Sequence, residues 1–134
     1  MRRIPCTHWI DGRKPTTVFD MGDVEREILL SFWKVHILYH AGAHPITGQW
    51  VIRELRRHGY EVSPGTLYPL LTRMEARGWL RSRTDAAGGL RARKDYSLTE
   101  KGREVLTILR NRLEELYGEV VRGKAPTGAK PERR

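Results

Sequence analysis

Residues 61–75 read Glu61-Val62-Ser63-Pro64-Gly65-Thr66-Leu67-Tyr68-Pro69-Leu70-Leu71-Thr72-Arg73-Met74-Glu75. A hydroxyl residue followed by proline is a strong helix start. The Ser63 side chain can accept from an otherwise orphaned amide, and Pro64 at the first helical position has no amide to lose. Leu67, Leu70, Leu71 and Met74 recur at three- and four-residue spacing, so one face of this helix is apolar and turns inward. Pro69 falls about a turn and a half in and removes one helical amide bond, which predicts a tightened or slightly bent first turn. Gly78 closes the helix. What remains exposed at its start is small or hydroxylated: Ser63, Gly65, Thr66 and Tyr68.

Two more helices are predicted upstream. Asp23 suits an N-cap, with Glu25 and Glu27 in a first turn where the helix dipole favours acids. The dense apolar set from Ile28 to Tyr39 makes that helix largely buried, and Gly42 and Pro45 end it. Thr47 caps a second helix running through His58, with Trp50, Val51 and Leu55 on one stripe and Arg53, Arg56 and Arg57 on the other side. Gly59 fits the left-handed position beyond it. Downstream, Trp79 to Thr84 and Arg91 to Leu98 flank Asp85-Ala86-Ala87-Gly88-Gly89, the pattern of strand, glycine turn and strand. Thr99 caps a last helix whose apolar face includes Val105, Leu106, Ile108, Leu109, Leu113, Leu116, Tyr117 and Val120; Gly123 and Pro126 stop it. Helix, helix, helix, hairpin, helix is the order of a winged helix-turn-helix. The expected fold is therefore mainly α with a small β-hairpin wing, plus a long C-terminal helix.

The chain has 134 residues, with 25 Lys+Arg against 16 Asp+Glu, a formal net charge of +9. That length supports one domain. Cys6 is the single cysteine, so no intramolecular disulfide framework forms. No apolar run approaches the ~20 residues a membrane span needs, and a signal-peptide core is absent, so a cytoplasmic location is expected. The charge is uneven. Residues 23–62 are neutral, whereas residues 63–98 carry +4, residues 1–22 carry +2 and residues 99–134 carry +3. The excess thus falls on the third helix and hairpin, and on the two ends. Residues 1–22 read as an arm, 23–98 as a DNA-binding domain, 99–122 as a dimerisation helix and 123–134 as a disordered basic tail. There is no glycine-rich phosphate loop, His-Glu-x-x-His or nucleophile motif, so an enzyme is not expected.

In a winged helix the third helix enters the major groove by its N-terminal end. The residues placed there are Ser63, Gly65, Thr66, Tyr68 and Pro69, with Arg73 further along. The helix amides can bind phosphate, and Arg91, Arg93 and Lys94 of the wing can reach the backbone or the adjacent minor groove.

The same residues carry a family likeness. Glu61 to Leu71 followed by Arg73-Met74-Glu75, then Gly78-Trp79-Leu80, then Tyr96-Ser97-Leu98-Thr99-Glu100-Lys101-Gly102, resembles the PadR family of bacterial transcriptional regulators over roughly residues 23–121. The resemblance implies a homodimeric winged-helix repressor, dimerised by its single C-terminal helix, that leaves its operator when a small molecule binds. The chain departs from the family pattern at Thr47-Gly48-Gln49, at Asp95 in the wing, and in having no Trp in the last helix.

The residues also argue for a dimer directly. The face of Leu106, Leu109, Leu113, Leu116, Tyr117 and Val120 is wider than one small domain can cover, and two such helices would bury it. A two-fold dimer predicts a pseudo-palindromic operator on double-stranded DNA. Trp33 and Trp50 suggest an effector pocket between the first and last helices. No cofactor and no metal site are expected. Two alternatives stand beside the main reading. One is a metal-responsive regulator built on His36 and His40, with His44 at the same spacing and Cys6 and His8 as soft ligands in the arm. The other is a basic protein that binds nucleic acid without sequence preference.

Overall fold

The computed structural model describes residues 21–85 and 93–124. A lead-in helix α1 (Met21–Val24) passes through a π-helical turn (Glu25–Leu29) into α2 (Leu30–Ala43). Helices α3 (Gly48–Arg57) and α4 (Pro64–Ala76), strands β1 (Leu80–Thr84) and β2 (Lys94–Leu98), and helix α5 (Glu100–Val120) follow. The strands pair antiparallel, with Leu80 opposite Leu98 and Thr84 opposite Lys94. This is a winged-helix fold with a long C-terminal helix.

Three hydroxyl caps set where the helices begin. Thr47 Oγ1 accepts from the Trp50 amide at 3.1 Å, Ser63 Oγ from Thr66 at 3.3 Å and Thr99 Oγ1 from Gly102 at 2.9 Å. Each such cap contributes about 1 kcal/mol. Thr99 also donates to the Gly78 carbonyl, which ties the start of α5 to the turn after α4.

The first helix differs from expectation at its start. Helical structure starts at Met21, so Asp23 is not the cap but a first-turn acid, ion-paired with Arg26. Its far end falls where Gly42 and Pro45 put it: α2 runs to Ala43 before His44 turns extended. Packing explains Gly42: a Cβ there would lie 2.9 Å from Leu98 Cδ2, so the missing side chain lets the hairpin base press against the helix.

One core joins every element from α2 onward. Leu67, Leu70, Leu71 and Met74 of α4 are buried with Ile37 and Leu38 of α2, Val51 and Leu55 of α3, Leu80, Tyr96 and Leu98 of the hairpin, and Leu106 of α5. Burying each such side chain stabilises by roughly 1.5–3 kcal/mol. Ile46, between α2 and α3, exchanges backbone bonds with Tyr96 at 2.9 and 2.7 Å, adding one rung to the hairpin edge. The wing is thereby fastened at its base, while its strands run out into solvent.

Candidate nucleic-acid interface

The start of α4 is presented as its sequence implies. Leu67 is buried and anchors the first turn, leaving Ser63, Pro64, Gly65, Thr66 and Pro69 exposed. The turn is tight: the Thr66 and Leu67 amides both reach the Ser63 carbonyl, at 3.2 and 3.0 Å. Helix α4 stays α-helical through Pro69. The bond that Pro69 cannot make would have gone to the Gly65 carbonyl, and both residues face solvent, where water can take its place. Arg56 Nη2 donates to the Val62 carbonyl at 3.3 Å and holds the chain just before the cap. The Tyr68 ring lies over the start of α3. A Cβ on Gly48 would fall 2.5–2.9 Å from its Cε1, Cζ and hydroxyl, so Gly48 is what seats this tyrosine. Arg73 is exposed on the next turns.

In the wing, Arg93 and Lys94 are exposed, and Arg93 Nε lies 3.5 Å from Asp95 Oδ1. A surface pair of this kind is worth about 0–1 kcal/mol, so it does not bind the guanidinium firmly. Arg91 lies outside the described residues. Two cations that the sequence reading passed over join this surface. Arg81 and Arg83 alternate outward along β1 while Leu80 turns in, a period-two signal present in Leu80-Arg81-Ser82-Arg83. Among the described residues, the hairpin therefore offers four exposed cations, Arg81, Arg83, Arg93 and Lys94, against two acids, Asp85 and Asp95.

Comparison with known proteins fits this geometry. The model of the transcriptional regulator PadR-like family matches residues 37–108, from the middle of α2 into α5. The chain belongs to the PadR-like family of transcriptional regulators. It is similar to the transcriptional regulator Rv3488 of Mycobacterium tuberculosis, at 48% identity over 102 residues, covering 76% of this chain and 94% of that protein. A PadR-like transcription factor from Bacteroides fragilis matches with a TM-score of 0.63 and 28% identity, covering 76% of this chain and 99% of that one. A PadR family regulator from Eggerthella lenta matches at 0.61 and 28%, covering 76% and 93%. This PadR-like chain is accordingly a regulator of transcription and not an enzyme. Among its described residues, no helix is long and apolar enough to cross a membrane.

The residues assigned to a dimer interface do not share one environment. Leu106 is 5% exposed, inside the core of its own chain, and Leu109 packs against that core. Leu113, Leu116, Tyr117 and Val120 are 37%, 50%, 51% and 70% exposed, and Ile108 and Val121 are exposed as well. Leu106 is therefore occupied within the protomer, whereas the far half of the face is free.

Trp33 and Trp50 do not form a common pocket. Trp33 is buried, edge-on to Tyr60, with its indole Nε1 unpaired among the described residues. It lines a groove of about 580 Å³ with Arg26, Arg56 and Ser63, next to the start of α4. Trp50 is half-buried and meets the edges of His40 and His44. The groove that does lie between the first and last helices, about 550 Å³, is lined by neither tryptophan; Phe32, His36, Tyr39, His58, Leu106 and Leu113 are among its walls. The aromatic count pointed to a pocket, but Trp33 faces the other side of α2.

That second groove holds polar groups that sequence reasoning missed. His58, which caps the end of α3, sits 4.8 Å from His36 by ring centroid, and Glu54 Oε1 lies 3.3 Å from His58 Nε2 and 3.6 Å from His40 Nε2. Arg57 donates twice to Glu54, at 2.6 and 3.2 Å. These hydrogen bonds hold the Glu54 carboxyl down at about 2. Burial, and then the neighbouring imidazoles, push His36 below the ordinary histidine value; burial does the same to His40 against the opposing pull of Glu54. Both are thus kept neutral near pH 7. The i, i+4 spacing of Glu54 and His58 was legible on α3, but nothing local says that this pair faces His36 and His40.

Proposed function

We propose that this PadR-like regulator is a sequence-specific, double-stranded-DNA-binding homodimeric repressor of the cytoplasm that leaves a pseudo-palindromic operator when a small molecule binds. The observation that carries this reading is the exposed first turn of α4. Ser63, Gly65, Thr66 and Tyr68 stand there on a buried leucine anchor, in a segment where the net charge is concentrated. Small residues and free amides let the helix end approach phosphate, while the hydroxyls of Thr66 and Tyr68, with Pro69 and Arg73 beside them, meet base edges. Arg91, Arg93 and Lys94 add backbone attraction that carries little sequence information. Residues 23–98 form the DNA-binding unit and 99–122 the dimerisation element, through Leu109, Leu113, Leu116, Tyr117 and Val120. Residues 1–22 and 123–134 add loose electrostatic attraction. The effector occupies a groove that borders α2, either the one Trp33 lines or the one beneath α5.

The test is footprinting of the purified protein on the promoter of its own gene, followed by binding titrations at several salt concentrations. Arg93→Ala should weaken operator and random DNA about equally and lower the salt slope by about one unit. Thr66→Ala and Tyr68→Phe should cost operator binding more than random binding. Equal loss on both sequences from all three variants would establish the rival reading, a basic protein without sequence preference.

A further inference from the structure

We infer that His36, His40 and His58, closed by Glu54, form a binding site for a borderline divalent transition metal ion of the zinc and cobalt class, in the groove between α2, α3 and α5. Two helical pairs at four-residue spacing face each other there. His36 and His40 lie on α2, and Glu54 and His58 on and just beyond α3. One ring nitrogen from each histidine lies within 4.8 Å of the others. Tetrahedral coordination with metal–nitrogen bonds of about 2.05 Å puts ligand nitrogens about 3.3 Å apart. The rings must therefore close by about 1.5 Å at most, within reach of χ rotation for partly exposed side chains.

The donor chemistry selects the ion. Three imidazoles and a carboxylate suit zinc, cobalt or nickel, whereas calcium and magnesium want oxygen-rich shells. Glu54 Oε1 already sits against the Nε2 atoms of both His40 and His58, where it can take the fourth position. Arg57 holds the same carboxylate from outside and orients it. The site opens to the groove, so an ion has a way in. His44 is not part of it: its ring meets Trp50 and its Nδ1 lies by the Pro45 carbonyl. An ion here would clamp the middle of α2 to the end of α3 at His58, five residues before the Ser63 cap of α4.

Full-length protein stripped with chelator and titrated with Co²⁺ tests the site, read by visible absorption. One equivalent should produce the intense bands of a tetrahedral centre, and Zn²⁺ should bleach them. His58→Ala and, separately, His36→Gln should abolish the bands with the circular dichroism spectrum unchanged, and Glu54→Gln should weaken binding by about 10-fold. Paired Cys6→Ser and His8→Ala changes in the arm should leave the bands intact. Absence of a stoichiometric tetrahedral spectrum in the unmutated chain overturns the assignment, as does a spectrum that survives His58→Ala and disappears with the arm changes. No DNA enters the measurement, so its failure is distinct from failure of the operator reading.

Discussion

Gly102, Leu106 and Leu109 share one stripe of α5 with Leu113, Leu116 and Val120, at alternating four- and three-residue spacing. By sequence period the two halves of the stripe are indistinguishable. By environment they are opposites. The first half is wedged into the protomer: Leu106 is in the core, and a Cβ on Gly102 would stand 2.1 Å from the Trp79 carbonyl oxygen. Within the described residues, the second half leaves its leucines and valine largely in water. A period near 3.5 says that a helix face wants burial; it does not say whether the same chain or a second copy supplies the cover. The difference divides α5 into a piece that completes the winged helix and a piece proposed to pair with its counterpart in a dimer, with the half-buried Leu109 at the boundary and available to both.

Substitutions can break that division from either side. Gly102→Val should be the most damaging change on the stripe. The new side chain meets Trp79 backbone and Leu98 rather than the end of a flexible group, so α5 must lift from the turn after α4. A loss of about 4 kcal/mol or more in denaturant unfolding is expected, at the severe end for single changes. Leu106→Ala should cost about 2–5 kcal/mol, as for other buried leucines, with no change in oligomeric state at concentrations where the chain stays folded. Leu116→Glu should do the reverse. It removes no contact from the core, so the protomer should remain folded, but sedimentation should show monomer where the parent chain is a dimer. Monomeric behaviour from Leu106→Ala, or an unaltered dimer from Leu116→Glu, would put the boundary between the halves in the wrong place.

How much of this was readable in advance depended on the range of the interaction. Thr47, Ser63 and Thr99 announced their helices because a cap bonds within three residues, and the hairpin was marked by apolar and basic residues on either side of a glycine turn. Gly42 was half legible for the complementary reason. As a local signal it marks the end of a helix, and it also makes room for Leu98, more than fifty residues away in sequence. The wing surface was half legible: Arg81 and Arg83 alternate along β1 in the sequence, but a short polar alternation does not say which face of the hairpin is outward. The histidine cluster was the least legible. His36 and His40 invite His44 by spacing, and only the crossing of α2 over α3 replaces it with His58 and brings Glu54 along. The apolar face of α5 was legible as a face; the split between buried Leu106 and exposed Leu116 needed the fold.

The smallest expected effect is also the one that sharpens the comparison most. Gly118 lies in the free half of α5 but roughly opposite the stripe, about 140° around the helix from Leu113 at the usual 100° per residue. Nothing stands within 4 Å of a Cβ built there. Gly118→Ala should therefore act only through helix propensity, stabilising by about 0.8–1 kcal/mol. That is a rise of a few degrees in Tm, with the dimer dissociation constant unchanged. If the substitution weakens the dimer instead, a partner helix must approach the glycine closely. The contact between copies would then wrap onto the second face of α5 rather than follow the leucine stripe.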